Sequence, residues 1–136
     1  MDEKLFDNYL NEAQAVRLAK AQKLFDGLID IFHQVGFNDE VIRLVICSMF
    51  FASFSVDGKI NKLENEFFNL ITRADLTLEQ INEFAFYRDD LEKDFLDFYN
   101  DSPDNVKELI KELVVFILLS DNEYNDKEVE LYEKLN

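Results

Sequence analysis

Apolar residues recur along this chain at helical intervals, and no stretch alternates as a half-buried strand would. Leu5, Tyr9, Ala13 and Val16, then Leu24, Leu28, Phe32 and Val35, fall near a helical repeat. This predicts one long helix from Glu3 to about Val35, or two joined near Gly27. Gly36, free to take positive φ, ends that stretch. Asn38 or Asp39 supplies the next N-cap. The helix that follows, to about Val56, is apolar almost all round, with Val41, Ile42, Leu44, Val45, Ile46, Met49, Phe50, Phe51 and Phe54. All-round apolarity predicts a central, buried helix. Asp57-Gly58 stops it, and Asn61 caps a helix carrying Phe67, Phe68, Leu70 and Ile71.

The second half reads the same way. Thr77 and Gln80 have capping-box spacing and open a helix running to about Tyr99. Ile81, Phe84, Leu91, Phe95 and Phe98 point inward on it, and Asp90, Asp94, Asp97 and Asp101 outward. Ser102-Pro103 reads as a cap followed by Pro at the first helical position. It begins a second apolar helix, Val106 to Leu119, and Asn125 caps a short last one with Val129, Leu131, Tyr132 and Leu135. The expected fold is all-α: a single domain over 1–136, a bundle of about six to eight helices. Its two central buried helices cover about 39–56 and 104–119, and residues 1–36 form an N-terminal helix or helix pair.

Each central helix leads into an acidic turn, and the two turns share one grammar. Asp57 aligns with Asp121, Ile60 with Tyr124, Asn61 with Asn125, Glu64 with Glu128 and Glu66 with Glu130, all in a single register. This predicts an internal pseudo-two-fold repeat. Capping explains part of it: Asn61 with Glu64, and Asn125 with Glu128, have the spacing of reciprocal N-terminal boxes. It leaves Asp57 and Asp121, each at the negative end of a helix dipole, where a carboxylate is unfavourable. The other reading places Asp57, Glu64, Asp121 and Glu128 around a hard cation, with Asn61 and Asn125 as additional donors. An all-oxygen set selects calcium or magnesium over zinc or copper. The two readings are compatible. Asp57 through Glu64 also matches the second half of an EF-hand loop, but the first half fails: Ser53 and Ser55, and in the repeat Ile117 and Leu119, stand at its first ligand positions.

Composition narrows the partners. The 136 residues carry a formal net charge of −15, with 48 % hydrophobic residues and 14 Phe. So many apolar residues exclude a disordered acidic tail, and the charge disfavours direct nucleic-acid binding. It suits cations, a basic protein partner, or solubility alone. The one cysteine, Cys47, excludes an internal disulfide, fits a reducing compartment, and reads as a buried inert thiol. Met1-Asp2-Glu3-Lys4 opens no secretory signal, and the apolar windows are too short and too interrupted for membrane insertion. A cytoplasmic location is therefore expected. His33 has no partner in a catalytic spacing, the serines lack a base, and no Gly-rich phosphate loop is present. A non-enzyme is expected.

The turns Asp57-Gly58-Lys59-Ile60-Asn61-Lys62-Leu63-Glu64 and Asp121-Asn122-Glu123-Tyr124-Asn125-Asp126-Lys127-Glu128 resemble those of the TerB-like family, the tellurite-resistance protein B type of helical domain. In that family a buried helix ends in an Asp-Gly-x-Ile-x-x-x-Glu turn, and a similar turn follows near the C-terminus. Asn122 stands where Gly is usual, a mild departure because Asn tolerates the left-handed region. The resemblance covers Val41 to the C-terminus. It implies an all-α domain, divalent-cation binding at an acidic surface, and a link to tellurite or other chemical stress. The alternative is an acidic interaction module or scaffold that docks a basic protein, or mimics nucleic acid, with no metal role.

Overall fold

A computed structural model describes residues 2–54, 59–86 and 91–135. Among the described residues the chain forms eight α-helices and no strand. They are α1 Asp2–Leu10, α2 Gln14–Gln34, α3 Asp39–Phe54, α4 Lys62–Thr72, α5 Leu78–Phe86, α6 Leu91–Asp101, α7 Asp104–Leu118 and α8 Asp126–Glu133. Helix α7 packs against α2, α3, α6 and α8, and α3 packs against α6 as well as α7. The all-α bundle with two central helices is therefore as expected.

Burial along those two helices is graded. Helix α3 begins with exposed Val41 and Arg43 but closes with Phe50, Phe51, Ala52 and Phe54 all buried. In α7, Val106 and Ile110 mark an inward stripe, and then every side chain from Leu113 to Leu119 is buried. Each helix is thus amphipathic where it enters and surrounded where it leaves. Aromatic pairs tie the core around α3: Phe50 meets Phe25, Phe54 and Phe68 edge-on, with ring centroids 6.4, 5.9 and 5.2 Å away.

The N-terminal break lies elsewhere than expected. Helix α2 runs through Gly27 without interruption, and the join falls at Asn11–Ala13. Ala21, Phe25, Leu28 and Phe32 are buried along one side of α2, and that packing outweighs the roughly 1 kcal/mol a mid-helix glycine costs. At its far end α2 closes in a Schellman motif. Gly36, at φ +90°, donates to the His33 carbonyl, and the Phe37 N–H donates to the Phe32 carbonyl. The motif's hydrophobic contact is the Phe32–Phe37 ring pair at 5.6 Å.

Cap chemistry is otherwise close to the sequence reading. Asn38 accepts from the Val41 N–H at 2.9 Å, and Thr77 and Gln80 form their reciprocal box. Ser102 differs: its hydroxyl donates back to the Phe98 carbonyl at 2.8 Å, and Pro103 is the N-cap of α7 with no side-chain bond. The hydroxyl finds an orphan carbonyl at the end of α6 before it can reach forward. The stretch expected as one helix from Thr77 is α5 and α6, with residues 87–90 outside the described residues. Asp94, Asp97 and Asp101 lie exposed on α6, as expected, and Asp90 lies outside the described residues.

Candidate functional site

The two acidic turns touch. Nδ2 of Asn61 donates to Oδ2 of Asp121 at 3.0 Å. In the first turn, Oδ1 of Asn61 accepts from the Glu64 N–H at 2.9 Å, and Oε1 of Glu64 accepts from the Asn61 N–H at 2.9 Å. The box is thus complete, and it holds Glu64 at 5 % exposure. Asn61 carries two tasks with one amide group: its oxygen caps α4 while its nitrogen holds the other repeat.

In the second turn Asn125 caps α8 by accepting from the Glu128 N–H at 3.0 Å, and Glu128 is 4 % exposed. Asp121 is half-buried just beyond the α7 C-cap. Its Oδ2 takes the Asn61 amide and its Oδ1 lies 3.4 Å from the Glu123 N–H. Two donors therefore offset its position at the negative helix end. Asn122 adopts φ +67°, in the left-handed region, and its N–H donates to the Leu119 carbonyl at 2.9 Å. Asp57 lies outside the described residues.

Three clamps on these turns were not visible from motif spacing. Asn82 of α5 grips Ile60, accepting from its N–H at 2.8 Å and donating to its carbonyl at 3.0 Å. Arg17 of α2, 6 % exposed, donates to the Asn122 side-chain oxygen and lies 3.4 Å from the Tyr9 carbonyl. Desolvation holds its pKa below the ordinary arginine value, with Glu12 opposing. The Tyr124 hydroxyl donates to Asp7 of α1 at 2.7 Å, and the Tyr124 ring meets Phe6 edge-on at 5.2 Å. Arg17 carries a sequence signal, a charged residue on the stripe it shares with Ala21, Phe25, Leu28 and Phe32, whereas Asp7 is exposed and carries none.

Among the described residues no group of three or more His, Cys, Asp or Glu side chains is gathered as a metal would need. The donor chemistry at the joined turns is carboxylate and amide oxygen, which fits a hard cation. His33 is exposed, 3.1 Å from Asp39, and Cys47 is half-buried. Among the described residues no helix is long and apolar enough to cross a membrane. Comparison with known proteins gives no match: no family model, no curated protein and no solved structure aligns significantly with the chain.

Proposed function

We propose that the chain is a non-catalytic, TerB-like helical domain whose joined acidic turns bind a divalent cation, calcium being the best match. The observation that carries this reading is the Asn61–Asp121 hydrogen bond, which brings the two repeats into contact. Asp57 and Asp121 are the proposed ligands. Asn61 and Asn125 cap helices through the oxygens a cation would use, so they act here as positioning residues. The Asn61 amide orients the Asp121 carboxylate as an outer-shell group orients a metal ligand. Glu64 and Glu128, buried at the first turns of α4 and α8, add negative charge near the same junction. Assignment to stress or tellurite resistance rests on the family resemblance alone.

Calorimetric titration and thermal melting with calcium, magnesium and manganese test the reading. A ligand at a hundredfold excess over its Kd should stabilise the fold by about 2.7 kcal/mol. Asp57→Asn combined with Asp121→Asn should abolish that gain. A melting temperature unmoved by millimolar concentrations of all three ions would sink the proposal.

A further inference from the structure

A cavity of about 270 Å³ opens where the end of α2 meets the junction of α6 and α7. It lies apart from the acidic turns and is independent of the cation reading. Three rings converge on it: Phe32 stands 5.9 Å from Phe98, and Phe37 stands 5.6 Å from Phe32 and 6.4 Å from Phe98. The Schellman turn at Gly36 is what folds Phe37 back into this group. Val35, 61 % exposed, leaves an apolar side chain at the edge of the cavity.

Among the described residues, two polar side chains line the cavity, Asp101 and Ser102. The Ser102 hydroxyl is already committed to the Phe98 carbonyl. Asp101 is exposed at the last residue of α6, a helix with no basic residue in its final turn. A carboxylate there opposes the helix dipole, an unfavourable placement that an arriving cation relieves. The acidic surface continues along exposed Asp94 and Asp97 of α6, and into Asp104 and Glu108 of α7. Lys93 already pairs with Asp97, and Lys107 lies over the Tyr99 ring.

We infer that this cavity receives a bulky apolar side chain of a partner protein, in a segment that places lysine or arginine beside it. The apolar lining, with Phe32, Phe37, Phe98 and Val35, suits an apolar anchor side chain. The extended acidic border decides for a polypeptide, since only a chain of several residues reaches from Asp101 along α6. Apolar anchors in pockets with a charged rim are how interfaces concentrate their energy and steer their partners.

The test is selection from a random short-peptide display library on the intact protein, followed by anisotropy titration of the enriched sequences. Enriched peptides should share an aromatic or large aliphatic residue flanked by Lys or Arg. Val35→Gln and Asp101→Lys, both at exposed positions, should keep the wild-type melting temperature and weaken binding of those peptides by about tenfold or more. Binding should weaken as salt rises. No enrichment, enriched peptides without basic residues, or peptides indifferent to both variants would each overturn the inference. Tryptamine binding as tightly as the peptides would replace the protein partner with a small apolar amine.

Discussion

The two acidic turns have the same sequence grammar and are held in different ways. The first is clamped through its backbone: Asn82 reaches from α5 to both the N–H and the carbonyl of Ile60, which is fully buried. The second is clamped through its side chains, with Arg17 on Asn122 and Asp7 on Tyr124. Each clamp comes from an element outside the repeat. The repeat itself supplies the caps, and Asn61 also supplies a bond that crosses between its halves. A repeated local motif therefore need not mean repeated tertiary support. The same turn can be made rigid by whichever neighbour the packing brings.

This asymmetry predicts that equivalent substitutions have unequal effects. Asn61→Ala removes a helix cap and the donor to Asp121, so a loss of about 2–4 kcal/mol is expected. Asn125→Ala removes the α8 cap, a bond worth about 0.5–2 kcal/mol. Urea denaturation of both variants checks this, and a loss for Asn61→Ala no larger than the roughly 0.5–2 kcal/mol of a cap would mean that the Asn61–Asp121 bond contributes nothing. The clamps come next. Asn82→Ala strips two bonds from the buried Ile60 backbone and should cost about 1–3 kcal/mol. Tyr124→Phe loses one exposed hydroxyl contact and should cost about 1 kcal/mol or less. Hydrogen exchange should show faster opening at the first turn in the Asn82 variant and at the second in the Tyr124 variant.

A similarly small effect at neutral pH is expected at the end of the second repeat, where the Tyr99 hydroxyl donates to the Leu135 carbonyl just past α8. Tyr99→Phe should cost about 1 kcal/mol. Burial raises the Tyr99 pKa above 10.0, helped by Glu108 and Asp104, and Tyr9 is raised by burial and Glu112. A raised pKa in the folded state leaves stability intact below the unfolded value. Stability then falls as pH rises from about 10 toward the folded value, because the unfolded chain loses its proton first. Removing the Tyr99 hydroxyl should make that alkaline loss shallower, and denaturation midpoints on either side of about pH 10 would show whether it does.

Those local features were legible because they are encoded over short spans. Asn61 with Glu64, Asn125 with Glu128 and Thr77 with Gln80 each act across one helical turn, so spacing alone identifies them, whereas the structure selects Asn38 over Asp39 as the cap that meets Val41. The buried ends of α3 and α7 were legible for a related reason: a helix apolar on every face has only the core to occupy. Reading Gly27 as a join failed because propensity is a weak prior against a packed stripe. Reading Ser102 as a cap failed because a serine hydroxyl can bond backward as readily as forward.

By itself, then, the sequence determined an all-α chain, its caps, its two acidic turns and its central helix pair. Only the tertiary structure decided that the turns meet, that Asn82, Arg17 and Asp7 hold them, and that Phe32, Phe37 and Phe98 enclose a cavity beside Asp101. The division follows from range. Hydrogen bonds and burial within a helical turn depend on fixed spacing, whereas contacts between distant helices depend on which ridges and grooves pack together.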